Sequence, residues 1–335
     1  MPTRNFIPVT FKLNFLWYLI IHFLNSRSFK DSFVFSIVKV LEPKILITFI
    51  DNSDIMGKIH KQFPNKTTIS VQNGFRSGLN YLNGTYSKKP VSIYFGFGEH
   101  EGVILKKNNI ENKEYISSGS LLFSLFKKSN TRKNIKKYDI CFISQFNTSK
   151  DLYINGLMKS STEIYLSLLK ICQRYDFSIS VAMRYNAKSK QYIDECNFYN
   201  EIDTNSLAKL IPNNDINFQG YKTASESRVL ISVNSTLAFE MFGSGSKVLF
   251  GASSNKFELA YLWDSYESFN KLPKFNLLDN NNEDSIYKKL IFLMELDKDD
   301  YLAKTKLARK YYMNYSDTNL ARKLIKNKIE EILLN

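Results

Sequence analysis

The sequence predicts an α/β protein with two doubly wound domains and a helical C-terminal tail. Three observations predict this class: a length of 335 residues, short apolar runs that end in polar residues or glycine, and helical patterns between those runs. A chain of this length fits two domains of about 150 residues each. Apolar runs rich in β-branched residues that alternate with helices are typical of buried parallel strands.

The first domain is predicted to span residues 1–130. Its four predicted strands each end in polar residues or glycine. They are KILITFID (44–51), TTISVQNG (67–74), VSIYFGFG (91–98) and EYISSGS (114–120), with a short helix predicted at MGKIHKQF (56–63). Because ligands of such sheets bind outside the carboxyl ends of the strands, the polar residues that follow each strand are candidate site residues.

The most hydrophobic segment of the chain is FLWYLIIHFL (15–24). It is about half as long as a bilayer span and lacks the small-residue cleavage site of a signal peptide. Two interpretations stay open. The segment is either a buried helix of the first domain or a helix on a membrane surface, assisted by Lys12, Arg27 and Lys30.

The second domain is predicted to span residues 138–285, after a solvated basic linker, KKSNTRKNIKK (127–137). A helix is predicted at 161–175, where apolar residues recur at helical spacing. Residues 286–335 are predicted to form C-terminal helices. The predicted strands of this domain are YDICFISQF (138–146), FSISVAMR (177–184), INFQGY (216–221), RVLISV (228–233) and KVLFG (247–251).

The net charge of +14 favours an anionic partner such as a nucleotide or a phospholipid surface. We expect no nucleic-acid binding, because no arginine-rich or aromatic-interleaved stretch resembles a nucleic-acid module.

Three well-separated cysteines without a CxxC motif favour a reducing compartment over a disulfide framework. Three distant histidines offer no metal-ligand spacing, so we predict no metal site.

Three small polar residues, Asn234, Ser235 and Thr236, stand between a predicted strand and a predicted helix. A helix start offers unpaired N–H groups and a partial positive charge, which a phosphate can take; simple N-capping is the alternative. Glu240 follows about one turn into that apolar helix. A carboxylate among buried positions needs a partner, either the ribose hydroxyls of a nucleotide or a nearby Lys or Arg.

The segment S-x-N-S-T-L-x-x-E-x-x-x-x-G-x-K-V (232–248), placed in the second of two α/β domains, resembles GT-B glycosyltransferases. More narrowly, the chain is similar to bacterial surface-carbohydrate (capsule and lipopolysaccharide) biosynthesis proteins related to Kdo-type transferases. The predicted strand at 44–51 begins closer to the start than in a full GT-B N-terminal domain, which implies a reduced first domain or a truncated start. The other matching pieces are EPKILITFIDN (42–52), ISVQNGFR (69–76), YFGFG (94–98), SSGS (117–120) and CFISQF (141–146).

The resemblance implies a GT-B-like fold whose two Rossmann-like domains face a cleft, with the acceptor on the first domain and a nucleotide sugar on the second. It implies no catalytic metal and no cofactor beyond the nucleotide sugar as substrate. Ser235 and Thr236 would hold the phosphate and Glu240 the ribose or base. The implied nucleotide-binding residues are Ser144, Gln145, Asn234, Ser235, Thr236 and Glu240.

Chemistry in such a cleft requires a carboxylate on the first domain. Asp51, at the end of the first strand, is the first candidate, as general base or nucleophile, with a turn or helix cap as its structural alternative. Glu99 is the second candidate, and we expect the neighbouring His100 to be exposed rather than catalytic. The candidate sugar-binding residues are Asn52, Gln72, Asn73 and Arg76.

The resulting hypothesis is a glycosyltransferase that moves a sugar, such as a CMP-linked acidic sugar, from its nucleotide donor to a polysaccharide or lipopolysaccharide acceptor. We expect a cytoplasmic location, with peripheral association at the inner face of the cytoplasmic membrane. The alternatives are a UDP-sugar 2-epimerase-like enzyme, a CDP-glycerol phosphotransferase-like enzyme, and a non-catalytic scaffold of the glycan assembly machinery.

Overall fold

The structure is a computed structural model. It describes residues 13–26, 28–76, 90–130, 135–148, 152–251, 270–315 and 320–334. Two parallel sheets of four and five strands organise these residues. The mixed α/β architecture confirms the predicted fold class.

The first sheet has the strand order β1-β2-β3-β4, and all its strands are parallel. The central strands β2 and β3 are fully or almost fully buried, because their apolar residues are covered on both faces. The edge strand β1 is only partly buried. The strands are β1 (Ile45–Thr48), β2 (Thr67–Val71), β3 (Ile93–Gly96) and β4 (Glu114–Ser117).

The helices of this half cover the sheet, except that α1 packs chiefly against α2. Helix α2 begins at Ser28, whose hydroxyl accepts a hydrogen bond from the Asp31 N–H. The predicted helix at 15–24 is confirmed as part of α1. The helices are α1 (Leu13–Ser26), α2 (Phe29–Leu41), α3 (Ile55–Gln62), α4 (Glu99–Lys107) and α5 (Leu121–Ser129).

The second sheet has the order β7-β6-β5-β8-β9, again all parallel. From β5 at the centre, the chain adds β6 and then β7 on one side. It then crosses back and adds β8 and β9 on the other side of β5. A topological switch point therefore lies between β5 and β8, where a crevice opens at the carboxyl ends. The strands are β5 (Tyr138–Ile143), β6 (Ile179–Asn186), β7 (Ala208–Asn213), β8 (Ser227–Ser232) and β9 (Lys247–Phe250).

The remaining helices enclose the second sheet, and the last one returns to the first. Ile325 on α12 packs with Ile69 and Phe95 of the first sheet, so the C-terminal tail connects the two halves. No helix among the described residues is long and apolar enough to cross a membrane. The helices are α6 (Leu152–Tyr175), α7 (Lys190–Ile202), α8 (Gln219–Ser225), α9 (Thr236–Gly243), α10 (Glu283–Glu295), α11 (Lys298–Tyr312) and α12 (Ala321–Leu334).

One predicted strand is wrong. The segment 216–221 forms the end of a 3₁₀ turn and the start of α8, and the third strand of the sheet is β7, which the sequence analysis did not predict. The side chain of Asn214 accepts a hydrogen bond from the Asn217 N–H and so caps the 3₁₀ turn directly after β7. The segment 216–221 has only six residues, two of them aromatic. A window of this length does not distinguish a strand from a helix.

Candidate ligand-binding site

A cavity of about 560 Å³ lies at the carboxyl ends of the second sheet. Its volume is in the range of small-molecule sites, and its position is the crevice that the strand order predicts. Two apolar residues of the first domain, Phe75 and Leu122, also line it. The lining from the second domain is Ile143, Ser144, Gln145, Asn147, Leu157, Ala182, Met183, Arg184, Asn213, Asp215, Phe218, Gly220, Tyr221, Asn234, Ser235, Thr236 and Leu237.

The turn between β8 and α9 brings Asn234, Ser235 and Thr236 together in the cavity wall. Ser235 occupies the N-cap position of α9, with extended backbone angles, but its side chain makes no capping hydrogen bond. The start of α9 thus borders the cavity without the ordinary side-chain capping contact, which suits an anionic ligand group. The Thr236 hydroxyl oxygen accepts a hydrogen bond from the Phe75 N–H at 2.9 Å.

Ser144 and Gln145 also line the cavity, and the side chains of both form hydrogen bonds within the protein. Ser144 donates to the Glu195 carboxylate and accepts a hydrogen bond from the Tyr199 hydroxyl at 2.9 Å. Glu195 further accepts the N–H group of Arg184, and burial raises the pKa of its carboxyl. Gln145 donates to the Ser232 hydroxyl at 3.3 Å. These contacts fix the ends of β5, β6 and β8 relative to one another.

Arg184, at the end of β6, is a lining residue that the sequence analysis missed. Among the described lining residues it is the only basic side chain, and Asp215 is the only acidic one. Arg184 is exposed to solvent, and its guanidinium donates to the Phe146 carbonyl at 3.3 Å. Arg184 directly follows the apolar run FSISVAM of a predicted strand. The rule that polar residues after a strand are candidate site residues therefore also selects Arg184.

Glu240 is buried one turn into α9, behind the cavity wall. Its carboxylate accepts hydrogen bonds from the Ser120 hydroxyl and from the Tyr221 hydroxyl, the latter at 2.8 Å. Among the described residues its partners are thus two hydroxyl groups and not a Lys or Arg. Ser120 is the N-cap of α5, so Glu240 joins the two domains, while Tyr221 stands between Glu240 and the cavity. Burial raises the pKa of the Glu240 carboxyl to about 7.

Glu240→Gln should therefore change how stability depends on pH. The folded-state pKa of Glu240 lies above the ordinary 4.5, so its stabilising contribution is complete below about 4.5 and is lost as the pH rises through about 7. The Gln variant should gain roughly 2 kcal/mol in free energy of unfolding relative to wild type between about pH 5 and about pH 8. Urea unfolding across this range measures it, with Glu111→Gln on an exposed side chain as control; parallel curves for all three proteins would contradict the prediction.

Asp51 lies outside the cavity, buried in the first domain. One carboxylate oxygen accepts hydrogen bonds from the Asn73 N–H and from the Arg76 guanidinium, the latter at 2.8 Å. The other accepts the Tyr94 hydroxyl at 2.7 Å. Arg76 also donates to the Asn73 side-chain oxygen. Asp51 thus holds the loop after β2, whose Phe75 forms part of the cavity wall.

The other first-domain candidates also lie apart from the cavity. Asn52 is exposed, and Gln72 is buried, donating to the Glu101 carboxylate at 3.1 Å and accepting the Phe97 N–H. Glu101 is a second buried carboxylate that the sequence analysis missed. Glu99 is half-exposed on α4, with its carboxylate 3.5 Å from the Lys310 ammonium.

The expectation that His100 is exposed is wrong. His100 is buried, and its ring stacks on the ring of Phe75 at a centroid distance of 5.1 Å. Phe75 also stacks on Phe239 of α9, with ring centroids 3.7 Å apart. Burial lowers the pKa of His100 to about 4. Its role is to hold an aromatic contact between the two domains, a pairing that local sequence does not reveal.

Fold and site together define a two-domain, GT-B-like α/β protein with a ligand-sized cavity at the switch point of its second sheet. Residues 69–330 match the model of a family described as "putative O-antigen biosynthesis protein", so the chain belongs to that family. Membership confirms the broader part of the resemblance, to proteins of surface-carbohydrate biosynthesis. No curated protein matches the sequence.

Three solved structures illustrate the likeness of fold. A protein from Listeria monocytogenes, described as "putative UDP-N-acetylglucosamine 2-epimerase", has a TM-score of 0.58 and 15% identity, over 90% of this chain and 78% of that chain. The UDP-GlcNAc 2-epimerase of Methanocaldococcus jannaschii, in complex with UDP-GlcNAc and UDP, has a TM-score of 0.54 and 12% identity, over 90% and 81%. That of Neisseria meningitidis, bound to UDP-GlcNAc, has a TM-score of 0.54 and 15% identity, over 90% and 80%. At these identities the likeness concerns the fold alone.

Proposed function

We propose that the protein is an enzyme of surface-glycan assembly, a metal-independent glycosyltransferase that binds a nucleotide sugar in the second-domain cavity. The observation that carries this proposal is that the start of α9, with Ser235, and Arg184, the only basic side chain among the described lining residues, border one cavity. Membership in the O-antigen biosynthesis family supports a surface glycan as the product. Nucleotide sugars in two of the structurally similar proteins support this class of donor.

The nucleotide phosphate would lie at Asn234, Ser235 and Thr236. Helix-start N–H groups and hydroxyls donate hydrogen bonds to phosphate oxygens, and the Arg184 guanidinium adds the positive charge that a departing phosphate needs. The protein's own groups would then stabilise the leaving phosphate, which is the role of the metal ion in metal-dependent glycosyltransferases. Ser144 and Gln145 would form another part of the wall, and the ring of Tyr221, whose hydroxyl donates to Glu240, would face the ribose or the base.

The first domain would bind the acceptor and supply the catalytic carboxylate. Asp51 remains the first candidate for a general base or nucleophile and Glu99 the second, with Asn52, Gln72, Asn73 and Arg76 as candidate sugar contacts. Asp51 would act only if its contacts with Arg76 and Tyr94 rearrange when substrate binds. The acceptor would be a polysaccharide or lipopolysaccharide chain, and a CMP-linked acidic sugar of the Kdo type is the proposed donor.

A UDP-sugar 2-epimerase is the second candidate, favoured by the fold of the similar solved structures. Epimerisation at carbon 2 removes a proton and returns it to the other face, so it needs acid and base groups in the cavity. The described lining residues offer only Asp215, Arg184 and Tyr221 as ionisable side chains. A CDP-glycerol phosphotransferase-like enzyme and a non-catalytic scaffold remain further alternatives, and the nucleotide that binds separates them.

The first experiment is a thermal-shift panel of CMP, CDP, UDP and GDP on the full chain. We expect one nucleotide to stabilise the protein, and Ser235→Ala to weaken its affinity by about tenfold, because a hydrogen bond to a charged group contributes about 1.5–3 kcal/mol. Ser189→Ala is the matched control, since Ser189 is also an N-cap residue whose side chain makes no capping bond, and it lies off the cavity.

The outcomes separate the candidates. Stabilisation by CMP supports the proposed transfer, and stabilisation by CDP favours the phosphotransferase. If UDP stabilises the protein, the next test is to incubate the protein with UDP-GlcNAc without an acceptor and to monitor the sugar by NMR. Conversion of UDP-GlcNAc to its 2-epimer would favour the epimerase. If none of the four nucleotides stabilises the protein, the proposed donor site is ruled out. The non-catalytic scaffold is then the favoured candidate.

A further inference from the structure

Five large apolar side chains of α1 point into solvent together. They are between 46% and 72% exposed, and they recur at helical spacing within an arc of about 120° on one side of the helix. The opposite side carries the buried Phe15 and His22, which pack on the first domain. We call this surface the α1 apolar face; its residues are Leu16, Trp17, Ile20, Phe23 and Leu24.

Two more exposed apolar side chains lie on the next helix, α2. Phe33 on α2 lies beside Phe15 of α1, with ring centroids 5.6 Å apart, and Phe29 stacks on Phe33 at 6.5 Å. Phe29 and Phe33 are themselves exposed. Single exposed apolar residues are ordinary on protein surfaces, but a contiguous patch of this kind marks an interaction site.

The composition of α1 is suited to lipid. Its fourteen residues, LNFLWYLIIHFLNS, include no Asp, Glu, Lys or Arg, and burial lowers the pKa of its one histidine, His22. At about 1.5 Å per residue the helix is about 21 Å long, so it can lie in the plane of a bilayer surface but cannot cross the hydrocarbon core. Trp and Phe beside Leu and Ile are the residues that such interfacial helices insert between head groups and acyl chains.

The sequence that includes and flanks α1 has a charge complementary to anionic lipid. Residues 1–50 include six basic and only two acidic residues. Both acidic side chains are paired with lysines: Asp31 lies 2.7 Å from the Lys58 ammonium, and Glu42 lies 3.8 Å from that of Lys39. A basic excess therefore remains on this part of a chain whose net charge is +14.

We propose that the α1 apolar face is a docking surface for an anionic phospholipid membrane, on which α1 lies flat with Trp17 and its neighbours inserted. This goes beyond the proposed transfer reaction, because lipid binding is measured without nucleotide or acceptor. It would place the protein where lipid-linked glycans are assembled. A second copy of the chain is the competing occupant of the same face, and the experiment separates the two.

The test is cosedimentation of the full chain with vesicles of phosphatidylcholine and phosphatidylglycerol, compared with vesicles of phosphatidylcholine alone. The wild type should sediment with the anionic vesicles, and less so at high salt, because salt screens the electrostatic part. The double variant Trp17→Gln, Ile20→Gln should bind at least about tenfold more weakly, because two inserted apolar side chains are lost. Both side chains are exposed, so we expect the variant to fold normally.

The matched control is the double variant Ile193→Gln, Leu307→Gln. It removes two exposed apolar side chains, 61% and 82% exposed, from α7 and α11 and should bind vesicles like the wild type. Wild type that stays in the supernatant with both vesicle types, or a Trp17 variant that binds as well as the control, would overturn the proposal. So would a wild-type dimer in light scattering that the Trp17 variant lacks, without vesicle binding, since the face would then join two copies.

Fluorescence gives a second readout at the surface itself. The chain has two tryptophans, Trp17 and Trp263, so Trp263→Phe leaves Trp17 as the only indole. If Trp17 inserts, its emission should shift to shorter wavelength on addition of anionic vesicles. Unchanged emission, together with cosedimentation, would show that another part of the chain binds lipid and would overturn the assignment to α1.

Discussion

Arg184→Gln should weaken binding of the preferred nucleotide by about tenfold or more. The side chain is the only basic group among the described residues of the cavity wall, and it is open to solvent at the mouth of the cavity. A charge-assisted hydrogen bond contributes about 1.5–3 kcal/mol, and about 1.4 kcal/mol is a factor of ten in affinity. Isothermal titration of wild type and variant with the nucleotide found by the panel measures the loss directly.

Three comparisons test whether the Arg184 result is specific to phosphate. The matching nucleoside, which has no phosphate, should bind wild type and variant equally. Arg228→Gln, a surface arginine paired with Asp139 and far from the cavity wall, should leave nucleotide affinity unchanged. Arg184→Lys should recover part of the affinity, since it keeps the charge but not the planar fork of donors. An equal loss for nucleoside and nucleotide would mean that Arg184 shapes the cavity rather than binding phosphate.

The strands with a strong local signal were predictable from sequence. Runs such as ICFI in β5 and VLIS in β8 are buried on both faces of a parallel sheet, so they consist almost entirely of apolar residues. The missed strand β7, AKLIPN, lies at the edge of its sheet, is mostly half-buried and contains a proline. Edge strands tolerate such residues, and their sequences therefore resemble loops.

The same reasoning explains which site residues the sequence could locate. Polar residues that follow a strand meet at one edge of the sheet, and this rule placed Ser144, Ser235 and Thr236 in the cavity wall. It does not tell which polar side chains are already engaged within the protein. The pairings of Asp51 with Arg76 and of Glu240 with Ser120 span 25 and 120 residues, so only the folded chain reveals them.

Asp51→Ala should lower the free energy of unfolding by about 3–5 kcal/mol, because removing one partner of a buried ion pair leaves the other charge uncompensated. Asp51 and Arg76 are both buried, the Asn73 N–H also loses this acceptor, and the Tyr94 hydroxyl loses its 2.7 Å contact while a longer one of 3.4 Å to the Glu101 carboxylate stays. Denaturant unfolding provides the measurement. The control is Asp279→Ala, which removes a carboxylate that is 76% exposed from its ion pair with Lys289 and should cost less than about 1 kcal/mol.

Asp51→Asn separates this structural role from the proposed catalytic one. The amide keeps the shape of the side chain and an oxygen that can accept the Asn73 N–H, so the variant should be more stable than Asp51→Ala. If Asp51 acts as a base or nucleophile, Asp51→Asn should bind the nucleotide sugar normally yet lose turnover. If it acts only by holding Arg76 and the loop that carries Phe75, turnover should fall in proportion to binding. An Asp51→Ala variant as stable as Asp279→Ala would contradict the structural role, since the buried pair would then contribute no more to stability than the pair of Asp279 with Lys289.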